Sequence, residues 1–586
     1  MSLESFTAHS IERLREFRKH QGCRQMDFGL CEGLLPDRCR QNREGAMARY
    51  GVIILWISVL ILLVWTLPLA AEEFELEPIV VTATKSEKKL ENVPAVVTVI
   101  GQDEIETIPA RTAGDLLADL PGVYAFEPQG VGLVTPQSVS MRGIGFPGNT
   151  LILLDGQRIN TPFTDYAYLT TIPVRAIQRV EVVRGPFSSL YGSSAGGGVI
   201  NFITKDGGGK TYVEPWGQAG NFGRTDYGAD LGISWKNFSL GLFYDRKNVD
   251  NYFLYDDQGL DDSNVDYEHD RVHAKLTGEL GQATNFSLSG GFISGETGFG
   301  IGENLNEDLH QDITHPYVNF QADSSLNDSL NLRAQLDWLR SEHEYFGETL
   351  ENITRPAFGP PQFDYTTSIN DTDSDRYRAD VSGNYYFNDQ NILTLGTEVI
   401  YTTAEKAIRD ADTGELIDVQ GRPGKQTDED DTLLSLYGQY DWLFLEDFEV
   451  VIGGRFDDYE SYGSEFSPKA TLRWEYMNGG QVKLSAGKGF KAPNLNQLYS
   501  SPWSISPFIV YQGNPDLEAE TLWSYELSVE QRALEERLFC RVTPYYTDAE
   551  DFITSVRRPD PLNPSGQIMQ PENVDEVEIT GVDVEL

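Results

Sequence analysis

From about residue 210 to the end of the chain, hydrophobic and polar positions alternate with a period of two. Tyr227, Ala229, Leu231, Ile233 and Trp235 alternate with Gly228, Asp230, Gly232, Ser234 and Lys236; after a tight turn at Lys236-Asn237 the period continues through Phe238, Leu240, Leu242 and Tyr244. The same spacing recurs at Tyr377, Ala379, Val381, Gly383, Tyr385 and Phe387, and at Leu434, Leu436, Gly438, Tyr440 and Trp442. Side chains of a strand point alternately to opposite faces, so this pattern predicts strands with one apolar and one polar face. Strands of soluble proteins average about 5–6 residues. These runs approach the roughly 9–11 residues a tilted strand needs to cross a bilayer. Aromatic residues gather near the strand ends, and turns alternate between tight ones and long polar segments near 297–311, 345–372 and 405–430. That grammar predicts a transmembrane antiparallel β-barrel over 206–586, with about sixteen strands. The last run, Gly581-Val-Asp-Val-Glu-Leu586, stops in mid-strand with no terminal aromatic, which suits either a small barrel or a piece of a larger one.

Residues 94–205 follow a different pattern. Asp115-Leu-Leu-Ala-Asp-Leu120 has helical spacing and stops at Pro121-Gly122. Asn149–Leu154 is a short apolar strand ended by Asp155-Gly156, Arg175–Arg184 follows, and a glycine-rich return leads into Val199–Thr204. These predict a compact α+β domain. Before it, Tyr50–Ala71 is an apolar run preceded by Met47 and Arg49 and closed by Ala70-Ala71. That is the order of a secretory signal, with 47–71 as the signal and 1–46 as sequence upstream of the true start. The remaining segment, 72–93, is a linker.

The formal charge of −44 excludes nucleic acid as a partner, because phosphate recognition requires basic surface. Of four cysteines, Cys23, Cys31 and Cys39 precede the signal run, leaving only Cys540 behind it, so no internal disulfide framework exists. Two apparent catalytic motifs fail on context. Gly143-Ile-Gly-Phe-Pro-Gly148 fits the dinucleotide fingerprint but leads into a strand rather than a helix. Gly192-Ser-Ser-Ala-Gly196 fits the nucleophile elbow, yet more glycines and a β-branched strand follow, and no histidine lies beyond His343. The expectation is a protein that is not an enzyme and requires no cofactor. The seven histidines show no tight metal-ligand spacing along the chain; His269, Asp270 and His273 suit a loop or barrel wall. Asp256, Asp257, Asp261, Asp262 and Asp266 form either a solvated charge run or an oxygen-donor set for structural calcium.

Several stretches carry a resemblance. Glu77-Pro-Ile-Val-Val-Thr-Ala-Thr84 resembles the TonB box of TonB-dependent outer-membrane receptors. Leu120-Pro-Gly-Val123, Met141-Arg-Gly143, Leu151–Asn160, Ile177–Pro186 and Leu190–Lys205 resemble that family's plug domain. Phe490–Tyr499 with Gly513–Glu520 is similar to a barrel signature of cobalamin and siderophore receptors. The resemblance implies a plug inside a barrel of about twenty-two strands, about six more than the alternation provides. It implies a monomer in outer-membrane lipid of a bacterial cell, and the protein TonB, driven by its inner-membrane motor, as partner. Ile79, Val80, Val81, Thr82, Ala83 and Thr84 would be the strand that TonB adds to its own sheet and pulls. Arg142 and Arg184 would lock the plug to Glu526 and Asp583 on the wall. The ligand would be a scarce metal chelate of ferric-siderophore or cobalamin type, touched by Phe146, Tyr166, Trp503, Phe508 and Tyr511. The competing reading is a plugged surface receptor or adhesin that binds without energised transport. Calcium-binding acidic loops also occur in cobalamin receptors of this type.

Overall fold

A computed structural model describes residues 80–81, 88–90 and 93–586, apart from 127–137, 145–147, 222, 251–265, 299–309, 355–361, 389–390, 535–537, 564 and 575. The signal run, residues 1–46, Ile79, Thr82, Ala83, Thr84, Phe146, Asp256, Asp257, Asp261 and Asp262 lie outside the described residues.

Sixteen strands form one antiparallel sheet that begins at Tyr212–Ala219 and ends at Val577–Glu585. Each strand pairs with its neighbour in the sequence, a meander that tight turns such as Lys236-Asn237 enforce. The alternation read from sequence decides which way each side chain points. Leu336, Tyr377, Val381, Leu395, Leu434, Leu436, Ile452, Phe466, Leu484 and Leu527 are exposed on the outer face. Their neighbours Asp337, Arg376, Arg378, Asp380, Glu398, Arg455, Asp457, Lys483, Glu526 and Glu530 are buried on the inner one. Polarity is thus inverted relative to a soluble sheet, as expected of a wall whose outer face meets lipid. No helix among the described residues is long and apolar enough to cross a membrane.

The strands run longer than the alternation predicts. Leu330–Thr354 has 25 residues and Gln362–Asn388 has 27, and residues 345–354 of the first pair with residues 362–370 of the second. That stretch was expected to be a long loop because it is polar. It is polar on its outer face because Glu342, Glu344, Asp371 and Asp373 continue the strand period beyond the apolar belt, where water replaces lipid.

Inside the curl of the sheet lies the α+β domain. Its five-stranded sheet has the order Val96–Ile100, Ile177–Arg184, Gly198–Thr204, Thr150–Leu154, Gln157–Arg158, with a parallel pairing between Thr150–Leu154 and Gly198–Thr204. Both faces of this sheet are covered, so its strands read as continuous apolar runs rather than alternating ones. Leu117, Ile152, Val180 and Phe202 pack on one side, joined by Tyr317 and Leu339 of the wall; Leu151, Leu153, Val183 and Leu190 pack on the other, joined by Tyr437. The helix predicted over 115–120 is only a 3₁₀ turn, Asp115–Leu117. The Asp115 carboxylate accepts from the backbone N–H groups of Arg111 and Thr112, which fastens it to the preceding turn, and Pro121 stops any extension.

Two excursions leave the wall on the side of the long loops. Residues 492–519 carry the helix Leu495–Tyr499 and the strands Trp503–Ser506 and Ile509–Tyr511, while Phe552–Pro559 and Gln567–Val574 form a second hairpin. The two join in one four-stranded sheet through a parallel pairing of Ile509–Tyr511 with Gln567–Met569.

The lipid-facing assignment is tested with Leu436→Arg. It should cost about 2–4 kcal/mol in equilibrium unfolding from phospholipid vesicles, whereas Asp430→Arg, beyond the apolar belt, should cost under about 1 kcal/mol.

Candidate functional site

The domain is held in the sheet by two kinds of contact. The first is a set of ion pairs that cross the boundary. Arg142 sits in a turn at φ 52°, a conformation that aims its side chain at the wall. Its Nη1 lies 2.9 Å from Glu526 Oε2, its Nε lies 2.9 Å from Asp583 Oδ2, and its guanidinium covers the Tyr545 ring at 4.6 Å. Burial alone would lower the Arg142 pKa, but the two carboxylates outweigh it and hold it above its ordinary value. Room for those carboxylates is made by two glycines of the recognised motifs. Gly122 has φ +70°, and a Cβ there would lie 2.6 Å from Asp583 Oδ1; Gly185 has φ +86°, and a Cβ there would collide with Glu526 Oε1.

Arg184 behaves differently from the expectation. It forms no ion pair with Glu526 or Asp583 among the described residues. Its Nη1 donates to Thr98 Oγ1 at 2.7 Å and its Nε to the Pro121 carbonyl at 2.9 Å, while Nη2 lies 3.4 Å from Glu585. Burial, with Arg541 and Arg142 nearby, pushes its pKa down to about 10. Arg184 therefore braces the inner domain itself and reaches the wall only through Glu585. The alternation places Glu585 on the inner face beside Asp583, but motif matching did not single it out.

A second crossing pair was invisible in the sequence. Asp155, at the turn ending the Thr150–Leu154 strand, is buried. Its Oδ1 accepts from Lys275 Nζ at 2.6 Å and from the Thr204 N–H at 3.0 Å, and its Oδ2 accepts from Thr204 Oγ1 at 2.5 Å. His273 bridges Thr204 Oγ1 and Tyr317, and the Asp155 carbonyl accepts from Asn319 at 2.9 Å and from Gln321. Burial opposes ionisation of Asp155, but Lys275, His273 and the Thr204 hydroxyl more than offset it, and the pKa falls below its ordinary value.

The other kind of contact runs from wall cations to carbonyl oxygens of the inner domain. Arg455 reaches the Leu190 carbonyl at 3.2 Å, Lys483 that of Ala95 at 3.0 Å, Arg541 that of Val97 at 2.9 Å and Arg271 that of Ile172 at 3.2 Å. Each is already paired with a carboxylate of the wall: Asp457, Glu530, Glu585 and Asp245 respectively. The serine-rich run that imitated a nucleophile elbow is a clasp built the other way round, with plug hydroxyls accepting from backbone N–H groups of the wall. Ser188 Oγ accepts from the Phe490 N–H at 3.2 Å and Ser193 Oγ from the Ala492 N–H at 2.9 Å, while Ser194 donates to Asp165 at 2.7 Å.

Ahead of the domain, Val80–Val81 pairs antiparallel with Lys88–Lys89, a two-residue ladder among the described residues. The segment was expected to be an unpaired strand. A ladder this short has little stability of its own, so exchange for another edge is cheap. On the opposite side, Trp503 and Tyr511 lie with ring centroids 5.7 Å apart, and Phe508, 43% exposed, occupies the turn between their strands. Tyr166 stands beside Tyr511, whose phenol is pushed up by burial and by that neighbour. The same wall contributes Lys406, with its Nζ 5.2 Å from the Trp503 ring and 6.0 Å from the Phe163 ring. Of the acidic loop only Asp266 is described, and no group of three or more His, Cys, Asp or Glu among the described residues is arranged to hold a metal.

Comparison with known proteins gives a consistent picture. Residues 206–586 match the model described as "TonB dependent receptor-like, beta-barrel", and residues 89–199 match the "TonB-dependent Receptor Plug Domain". The chain is 28% identical over 528 residues to the vitamin B12 transporter BtuB of Photobacterium profundum, covering 88% of this chain and 76% of that one. It is 27% identical over 518 residues to an iron-regulated outer membrane virulence protein of Vibrio cholerae, covering 82% and 70%. Among solved structures, the siderophore receptor PirA of Acinetobacter baumannii superposes with a TM-score of 0.63 at 19% identity, over 83% of this chain and 77% of that one. The ferric enterobactin receptor PfeA of Pseudomonas aeruginosa, solved with enterobactin, superposes at 0.62 and 19% identity, over 84% and 78%.

Two outcomes check the crossing pairs. Arg142→Ala strands the buried Glu526 and the partly buried Asp583 and should lower the opening free energy of the inner domain by about 3–5 kcal/mol, read from hydrogen exchange at residues 150–154. Adding Glu526→Gln should restore part of the loss. Because the folded pKa of Asp155 is depressed, its contribution is complete above the unfolded value of 3.8 and is lost as pH falls through the lower folded value. Seating should therefore be flat from about pH 8 to about pH 5 and weaken below about pH 4, and Asp155→Asn should remove that acid limb.

Proposed function

We propose, because this chain belongs to the TonB-dependent receptor family and is of its cobalamin and siderophore type, that it imports a scarce, large metal chelate across the outer membrane. Energy would come from TonB, since the outer membrane itself holds neither ATP nor an ion gradient. The observation that carries this reading is the pairing of a plug seated by strict buried contacts with a weakly paired strand, Val80–Val81, ahead of it in the chain. A partner that adds its own edge to that strand gains backbone hydrogen bonds along its length and can transmit force to the plug. Ile79, Val80, Val81, Thr82, Ala83 and Thr84 are assigned this role.

Arg142, Glu526 and Asp583 act as the positional lock in this reading, with Arg184 bracing the plug behind them. Charge pairs suit a seat that must be exact at rest and releasable under load: they are demanding in geometry without being large net stabilisers. Ligand capture belongs to the side of the two excursions. There Tyr166, Trp503, Phe508 and Tyr511 offer aromatic surface that is apolar in body and polar at the tip. Phe146, in the plug, and the calcium assignment of Asp256, Asp257, Asp261, Asp262 and Asp266 remain part of the proposal on sequence grounds alone.

Deleting Glu77–Thr84 tests the energised step. In cells expressing the chain, surface binding of cyanocobalamin or of a ferric siderophore should persist while accumulation of the same ligand falls at least about tenfold. Accumulation unchanged by the deletion rejects energised import and leaves the plugged receptor or adhesin.

A further inference from the structure

His315 and His343 stand on neighbouring wall strands, His310–Asn327 and Leu330–Thr354, at 28 residues' separation in the chain. Their Nε2 atoms face each other at 3.0 Å. Ser341 Oγ lies 3.2 Å from the first and 3.0 Å from the second, so the three atoms make a nearly equilateral triangle. Two nitrogen donors bound at right angles to an ion at about 2.1 Å sit about 3.0 Å apart, so this triangle has the dimensions of one face of an octahedral first-row metal site. Gln311 holds His343 Nδ1 at 2.8 Å, and the plug residue Tyr168 covers both rings, with centroids 5.2 Å from His315 and 5.1 Å from His343.

We propose that His315 and His343, with the Ser341 hydroxyl, form a binding site for a divalent first-row transition-metal ion of the imidazole-preferring kind, such as Cu²⁺, Ni²⁺ or Zn²⁺. The chemistry balances without gain or loss of protons. In the ion-free pair one ring carries its proton on Nε2 and points it at the lone pair of the other. With an ion bound, both rings present Nε2 lone pairs and carry their protons on Nδ1, where the Gln311 amide turns its carbonyl oxygen to accept from His343. Hard ions such as calcium and magnesium are selected against, since the fixed donors are two imidazoles and one neutral hydroxyl. Tyr168 belongs to the plug, so occupancy stiffens a wall surface against which the plug rests. The site is independent of which chelate the receptor imports.

The test uses the full chain in detergent without an affinity tag, stripped with chelator and titrated with Cu²⁺. Electron paramagnetic resonance should show one Cu²⁺ per chain coupled to two imidazole nitrogens, with micromolar affinity by calorimetry. His315→Ala and His343→Gln should each weaken binding at least tenfold and reduce the coupling to one nitrogen. His269→Ala, on a separate strand, should leave the spectrum unchanged. Absence of a two-nitrogen signal in the unsubstituted chain overturns the proposal whatever the variants do, as does a signal that survives His315→Ala combined with His343→Gln.

Discussion

A sheet that must be apolar toward lipid is left with a polar inner face, and the plug must satisfy that face without becoming inseparable from it. The wall solves this with cations that are already neutralised. Arg455, Lys483, Arg541 and Arg271 each keep a carboxylate on the wall and extend a spare N–H to a plug carbonyl. When the plug moves, such a cation loses one or two hydrogen bonds to neutral acceptors, which water replaces. It does not lose its counter-ion. The cost per contact is therefore that of an ordinary hydrogen bond, about 0.5–1.5 kcal/mol net, rather than that of an orphaned buried charge.

Arg142 and Asp155 are of another kind, because their counter-ions are across the boundary, as are those of Arg175 and Arg184, Asp230 and Glu585 respectively. Moving the plug separates Arg142 from Glu526 and Asp583, and Asp155 from Lys275. These few contacts set the register of the plug, and the many neutral ones fill in its surface. Their placement on opposite parts of the plug sheet, one by the Met141–Gly143 turn and the other by the Asp155-Gly156 turn, keeps the plug from rocking about either alone. The glycines at 122 and 185 belong to this arrangement, since a side chain at either would occupy the space of a locking carboxylate.

Much of the site was legible as motif and little as partnership. Arg142 stood out in Met141-Arg-Gly143, and its carboxylates could be matched to Glu526 and Asp583 by family resemblance. Arg184 stood out equally, yet its nearest acid is Glu585, because a shift of two residues along the last strand keeps the inner face and changes only the height. Asp155 was read as the end of a strand, with no sign that Lys275 waits 120 residues away. His315 and His343 looked like scattered histidines because cross-strand neighbours on long antiparallel strands are distant in sequence.

Local physics wrote the period of two, the tight turns and the uninterrupted apolar runs of the plug strands directly into the order of residues. From these alone followed a many-stranded sheet with one greasy face and an α+β domain ahead of it. The alternation also separated inner from outer residues at each strand. What it could not contain was height and azimuth: which inner residue of one strand lies level with which residue of the plug. Those depend on strand tilt, register and the seating of the plug, all of which are settled only when the sheet curls and long-range contacts form together. The length of the strands beyond the lipid was decided there too, since an acidic stretch is a loop or a strand according to whether a neighbour offers it a ladder.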